Sequence, residues 1–170
     1  ISNFGKVIAK MMKHLDLLLL ETDASVIRKK LKKIHKYEDI ADQLEVEVGQ
    51  YLIKLSETEL SEKSSITIRS MLSAINDLER AADVMYQMSK VIERKVEAKV
   101  WFTPEQREHL IELFLKVNEA IVIMQDNLDG SYANVEKDDA RKVEDEINYL
   151  RSKFRKQHLK SIEKGDYNIK

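Results

Sequence analysis

The sequence predicts an all-α protein, an antiparallel helical bundle, and three observations support that prediction. Apolar residues recur at alternating steps of three and four over long stretches, which is the spacing of a helix that packs along one face. Helix breakers are scarce, with four Gly and one Pro among 170 residues. No segment alternates apolar and polar residues as a half-buried strand would. The apolar pattern divides into five helices separated by short polar segments.

The first three helices are bounded by local capping signals. The first helix is predicted over residues 3–20, where apolar residues fall on one face. Residues 22–25 then supply a turn and N-cap side chains for a second helix, which continues to about Leu55. After a polar loop, Ser61 is the predicted N-cap of a third helix that runs to about Ala98.

The start of the fourth helix carries the clearest local signal in the chain. Thr103 is a capping residue, Pro104 occupies the first helical position, and Gln106 is placed to bond back to the cap amide. This helix is predicted to end near Leu128, where Gly130 offers a C-cap.

A fifth helix, predicted over residues 135–164 and closed by Gly165, belongs to a weak internal repeat. An offset of 106 residues aligns helix one with helix four and helix two with helix five. The identical pairs include Lys10 and Lys116, Lys36 and Lys142, Glu38 and Glu144, Asp39 and Asp145, and Leu44 and Leu150. We therefore expect a single domain over residues 1–170, with a first three-helix repeat at about 1–100. The second repeat, at about 101–170, would lack its last helix, which favours self-association or closure by further residues. Apolar faces of helices four and five would then be uncovered, at Leu113, Phe114, Val117, Ile121, Ile147 and Leu150.

Composition excludes several functional classes. Acidic and basic residues nearly cancel, to a formal charge of −1. The chain as a whole therefore lacks the net positive charge that nucleic-acid binding requires. The absence of Cys excludes thiolate metal sites and a Cys nucleophile. There is no Gly-rich phosphate loop or nucleophile elbow, so we expect neither an enzyme nor a small-molecule substrate. The longest apolar run, residues 17–20, is far too short to span a bilayer, and the start at Ile1 suggests a piece of a longer chain.

Two acidic pairs of the form Glu-x-x-x-Asp are candidates for a metal site. They are Glu38 with Asp42 on helix two and Glu79 with Asp83 on helix three, and both lie at the same rotation relative to the apolar seam. Residues four apart on a helix point in nearly the same direction, one turn along it. If the two helices are antiparallel neighbours, the converging carboxylates repel unless protons or hard cations compensate. A solvated or salt-bridged face is the open alternative.

The histidines and the basic runs give weaker signals. A ferritin-like di-iron site needs Glu-x-x-His pairs, and none of the four histidines has a Glu three residues before it. We expect all four to be ordinary surface or boundary residues. Basic runs at residues 28–36 and 151–158 are either solvated helix surfaces or contacts for an anionic phospholipid leaflet or an acidic partner.

At residues 36–42, 77–83, 99–105 and 143–151 the chain resembles PhoU-like domains, and more closely those fused to the C-terminus of bacterial sodium/phosphate cotransporters. The resemblance covers essentially the whole chain, and that family is built from two three-helix repeats. It implies a regulatory domain at the cytoplasmic face of the cell membrane, acting on a transporter domain in the same polypeptide. A structural or oligomerisation module without a specific metal site is the alternative.

The resemblance also implies metal binding through the acidic motifs. By motif position the ligands fall on Glu38, Asp42, Glu79 and Asp83, with Asp39 as an additional ligand. The expected ion is a hard cation such as Mg²⁺, Mn²⁺, Ca²⁺ or Fe³⁺, or else Zn²⁺. In the second repeat Asn148 and Arg151 stand where Asp42 and Glu45 stand in the first, so a second metal cluster is not expected there.

Overall fold

A computed structural model describes residues 1–130, 135 and 137–166, which belong to two compact units, Ile1–Trp101 and Phe102–Lys170. The described residues form five α-helices and no strand. The helices are α1 Ser2–Leu19, α2 Ala24–Ser56, α3 Glu62–Glu97, α4 Pro104–Asp129 and α5 Asp138–Glu163. The all-α prediction is confirmed. The division into two three-helix repeats stays a prediction.

The first unit is a three-helix bundle in which α1, α2 and α3 each pack against the other two. Helices α2 and α3 are antiparallel, because His35 stacks on Tyr86 whereas Asp42, further along α2, meets the earlier residue Asp83 of α3. The core consists of apolar side chains at three-and-four spacing on α1 and α3 and mainly at seven-residue spacing on α2. Examples are Ile8, Met11, Leu15 and Leu18 of α1, Ile27, Ile34 and Ala41 of α2, and Ile75, Leu78, Ala82 and Met85 of α3.

Short-range hydrogen bonds explain where these helices begin. Asp23 caps α2, because its carboxylate accepts the amides of Ser25 at 2.7 Å and Val26 at 2.9 Å. Ser61 caps α3 by accepting the amide of Ser64 at 3.2 Å. Both caps confirm the predicted helix starts.

One polar residue, Ser89, is buried in the apolar seam of α3. Its hydroxyl donates to the carbonyl oxygen of Tyr86 at 2.7 Å, so the hydroxyl is satisfied within its own helix. Ser89 interrupts the apolar series of α3, but its satisfied hydroxyl group limits the loss of folding stability.

The second unit is a helical hairpin of α4 and α5. The ring of His109 stacks on Phe154 with centroids 4.1 Å apart, and further along α4 Lys116 Nζ lies 2.6 Å from Glu146 Oε2. Later residues of α4 thus meet earlier residues of α5, which is an antiparallel arrangement. The predicted capping box is present, with Thr103 accepting the Gln106 amide at 3.2 Å and Gln106 Oε1 accepting the Thr103 amide at 2.9 Å.

The start of α5 differs from the prediction. Val135 is not helical, and the helix begins at Asp138 with Lys137 as its N-cap. Asp138 and Asp139 occupy the first turn, where their negative charges interact favourably with the positive end of the helix dipole. The predicted start was wrong by three residues because Val135 continued the apolar pattern beyond the helix.

The apolar face that was expected to be uncovered in the second unit is partly covered in the structure. Phe114 and Leu150 are buried, which corrects the expectation for these two residues. The other four expected residues, Leu113, Val117, Ile121 and Ile147, are half-buried. Packing of α4 on α5 accounts for much of this cover.

Candidate metal-binding site

Helices α2 and α3 present their acidic residues directly beside the core of the first unit. Ala41 and Ala82 are fully buried, and each is followed in sequence by an aspartate, Asp42 on α2 and Asp83 on α3. Since alanine carries only a methyl group, the two backbones can approach closely at this level. The antiparallel packing then brings the two aspartates to the same edge of the helix pair.

Three carboxylates converge at this edge. One oxygen from each of Glu38, Asp42 and Asp83 lies within 4.8 Å of the other two. Oxygen ligands bind Mg²⁺ at about 2.0–2.1 Å and Ca²⁺ at about 2.3–2.6 Å, so two ligands of one ion are separated by at most about 4–5 Å. The three side chains are therefore spaced closely enough to hold a single hard cation.

Glu79 lies in the field of the same cluster. Burial raises the pKa of its carboxyl above the ordinary value, and the charge of Asp83, together with a hydrogen bond between the two side chains, raises it further. Glu45 and Asp42 on α2 act on this pKa in the same direction. The pKa of Glu79 is therefore affected by acidic groups on both helices, although Glu79 does not belong to the group formed by Glu38, Asp42 and Asp83.

Within the part of the chain that the structure describes, His35 beside Glu38 is the basic side chain that contacts the cluster, and no lysine or arginine forms an ion pair with it. The ion pairs recorded there do not include Asp42, Glu79 or Asp83. Like charges at this spacing repel one another, and a bound cation or proton would relieve the repulsion. The salt-bridged alternative therefore has no support at these three residues, whereas a solvated acidic face remains open.

A second group joins His35 to the acidic motif of α2. His35 Nδ1 lies 3.2 Å from Glu38 Oε2 and 4.0 Å from Asp39 Oδ1. The ring also stacks on Tyr86 of α3, with centroids 5.5 Å apart. Imidazole nitrogen beside carboxylate oxygen suits Zn²⁺ or another transition metal better than Mg²⁺ or Ca²⁺.

Four of the five predicted ligands thus fall into two overlapping groups. Glu38, Asp42 and Asp83 form the first group, and Glu79 lies beside it. Asp39 instead joins His35, while Glu38 belongs to both groups. Sequence reasoning missed His35, although its position three and four residues before Glu38 and Asp39 is a helical contact spacing that could have indicated it.

The second unit contributes nothing comparable among its described residues, since both groups of candidate ligands lie in the first unit. Its basic run instead lines a cavity of about 340 Å³, where Arg151 and Arg155 lie beside the stacked rings of His109 and Phe154. Over the described ranges, no helix combines the length and the apolar character required to cross a bilayer.

The model of the PhoU domain family matches residues 1–92, which is more than half of the chain and includes both acidic motifs. The chain therefore belongs to the PhoU domain family. A search of curated proteins and a search of solved structures each found no match. Membership of the family suggests a regulatory role in phosphate transport.

Proposed function

We propose that this chain is a non-enzymatic regulatory domain of a sodium/phosphate cotransporter, acting at the cytoplasmic face of the cell membrane. The observation that carries the proposal is the match to the PhoU domain family over residues 1–92. This range includes the acidic motifs that α2 and α3 bring together. In this proposal the transporter is a membrane domain of the same polypeptide. The resemblance of residues 99–105 and 143–151 to cotransporter-fused domains supports that arrangement.

The acidic cluster would bind a metal ion that couples α2 to α3. Glu38 and Asp42 come from one helix and Asp83 from the other, so an ion held by all three would join the two helices. Glu79 would contribute either as a further ligand or through its charge. The oxygen donors fit Mg²⁺, Mn²⁺, Ca²⁺ or Fe³⁺, and participation of His35 with Asp39 would favour Zn²⁺.

Regulation requires that the domain distinguish transporter conformations. A domain that binds two conformations with equal affinity shifts no equilibrium between them, however tightly it binds. A metal ion that fixes the α2–α3 pair would alter the surface that the domain presents, and hence its preference. The affinity of the metal would then depend on the transporter conformation by the same factor.

Metal binding can be tested by the thermal stability of the 170-residue chain. A ligand that binds only the folded state raises the melting temperature in a concentration-dependent way. We expect such a rise with at least one of Mg²⁺, Mn²⁺, Ca²⁺, Fe³⁺ or Zn²⁺. The Glu79→Gln, Asp83→Asn double variant should lose it.

The matched control is Glu108→Gln with Glu112→Gln. These glutamates are also four residues apart and exposed on a helix, but they lie on α4, outside both candidate ligand groups. This control should keep the metal-dependent rise. The metal proposal is wrong if no ion shifts the wild-type melting temperature, or if both double variants lose the shift equally.

The regulatory proposal is tested in cells by deleting the domain from its parent transporter. Phosphate uptake should change across a range of external phosphate concentrations without being abolished, because the transporter domain itself carries the transport path. Transporter abundance must be matched between strains. Unchanged uptake after such a deletion would rule out regulation and favour a purely structural module.

A further inference from the structure

A second candidate site lies on α1 and the first half of α2, apart from the acidic cluster. A cavity of about 480 Å³ is lined there by His14 of α1 and by five lysines of α2. The lysines are Lys29, Lys30, Lys32, Lys33 and Lys36. The volume falls in the range of about 300–1,000 Å³ that is common for small-ligand pockets.

The positive charge around this cavity is compensated only in part, by the electrostatic interaction of Lys29 with the Asp23 carboxylate. Lys29, Lys33 and Lys36 are separated by four and three residues, so they lie on one side of α2. Lys30 and Lys32 flank that side. Within the described ranges, none of the five takes part in an ion pair. Because the chain as a whole carries a formal charge of −1, this concentration of ammonium groups is local, and an anion would relieve their mutual repulsion.

His14 adds a polar wall to the cavity. Its ring stacks on Tyr37 of α2, with centroids 5.8 Å apart and planes inclined by 19°, which holds the imidazole in place. The Nδ1 atom is shielded from solvent and has no hydrogen-bond partner among the described residues. Burial lowers the pKa of His14, and the charges of Lys30 and Lys33 lower it further, so these ammonium groups act directly on the ring.

The donor set indicates the kind of anion. Lysine binds phosphate groups as a flexible point charge, and arginine, whose planar fork binds carboxylates and phosphates at two points, does not line this cavity. No Phe, Tyr or Trp side chain lines the cavity, and the His14 ring already stacks on Tyr37, so a base-stacking ligand is not favoured. Five lysines around one cavity carry more positive charge than a single phosphate needs, which favours an anion with several negative charges.

We propose that this cavity binds a multiply charged phosphate anion, recognised by the lysines of α2 beside His14. The same chemistry is offered by a free oligophosphate and by the phosphorylated headgroup of an anionic phospholipid. Neither source involves the acidic cluster, so the proposal is independent of metal binding.

The test is equilibrium binding to the 170-residue chain at constant ionic strength. Tripolyphosphate and inorganic phosphate are titrated by calorimetry, and vesicles of phosphatidylcholine with or without phosphatidylglycerol are used for co-sedimentation. We expect saturable binding in at least one arm, tripolyphosphate or phosphatidylglycerol vesicles. The Lys30→Gln, Lys33→Gln variant should weaken it by about tenfold or more, since charge-assisted contacts to phosphate are lost.

The matched control is Lys54→Gln with Lys63→Gln, which removes the same charge from exposed positions outside the cavity. Lys54 is eighteen residues beyond Lys36 on α2, or about 27 Å at about 1.5 Å per residue. This control should bind within about twofold of the wild type, and Lys30→Arg with Lys33→Arg should retain most of the affinity. Circular dichroism confirms that each variant is folded.

The two arms identify the source of the phosphate. Binding of tripolyphosphate without vesicle binding assigns a soluble ligand, and binding of phosphatidylglycerol vesicles without tripolyphosphate binding assigns a lipid surface. The proposal is overturned if neither arm shows saturable binding. It is equally overturned if the cavity and control variants lose affinity to the same extent, because the attraction would then be a general charge effect.

Discussion

At the scale of single residues, two carboxyl groups of the first unit are perturbed in opposite directions. The pKa of Asp23 is lowered by hydrogen bonds, first from the Ser25 side chain and then from the capped backbone amides. The pKa of Glu79 is raised by burial and by neighbouring carboxylates. Asp23 therefore stabilises the fold in its ionised form, whereas ionised Glu79 opposes folding when no cation is bound.

This opposition predicts the effect of Glu79→Gln in metal-free protein. As pH rises, the unfolded state loses the Glu79 proton first, at the ordinary pKa of 4.5, so the contribution of Glu79 to stability falls until the higher folded-state pKa is passed. At neutral pH the variant should melt above the wild type. Solvent screening keeps the gain below about 1 kcal/mol, or roughly 2–4 °C.

Melting curves in the presence of a chelator check this prediction across the acid-to-neutral range. The difference between the two proteins should disappear at pH values well below 4.5, where Glu79 is protonated in both states. A variant less stable than the wild type at neutral pH would show that Glu79 makes favourable contacts that outweigh the repulsion.

At the scale of single helices, α3 and α5 end in the same way with different residues. After α3, Lys99 has φ of +53°, and the Val100 amide reaches the Lys95 carbonyl oxygen at 3.0 Å. After α5, Gly165 has φ of +75°, and the Asp166 amide reaches the Ser161 carbonyl oxygen at 3.0 Å. Both ends thus use a left-handed residue to close the helix, but only glycine adopts that conformation without a steric penalty.

Replacing Lys99 by Gly should therefore stabilise the protein. The left-handed conformation costs a residue with a Cβ about 1–2 kcal/mol, and the extra freedom of glycine in the unfolded chain offsets about 0.4–1 kcal/mol of that. The expected net gain is about 0.5–1 kcal/mol, measured by urea denaturation. Lys99→Ala is the matched control, since it removes the charge but keeps the Cβ, and it should show no comparable gain.

Helix ends also show which parts of the fold the sequence could predict. The caps at Asp23, Ser61 and Thr103 depend on side chains within three residues, so local pattern was sufficient. The start of α5 was wrong because apolar spacing alone does not mark a helix end. In the candidate site, the helical spacing of His35 and Asp39 was present in the sequence and was missed. The approach of Asp83 to α2 depends on how the two helices pack, which the register of one helix does not contain.

At the scale of the whole molecule, the two units differ in how much apolar surface they cover. The first unit surrounds a core with three helices, whereas the second has two. On α4, the solvent-accessible fractions of Ile111, Leu115 and Val122 are 39%, 64% and 58%. They are spaced by four and seven residues and so form one stripe, which is more than the scattered apolar residues of an ordinary surface.

This stripe predicts that the chain self-associates through its second unit. Burying apolar surface contributes about 25 cal/mol per Å², and a charge introduced into such an interface would be costly. Leu115→Lys should therefore shift sedimentation equilibrium toward monomer. Ile53→Lys is the matched control, since Ile53 is likewise exposed but lies on α2, and it should leave association unchanged. A strictly monomeric wild type at high concentration would contradict the prediction and weigh against the oligomerisation module, while leaving the metal and phosphate sites to be judged on their own tests.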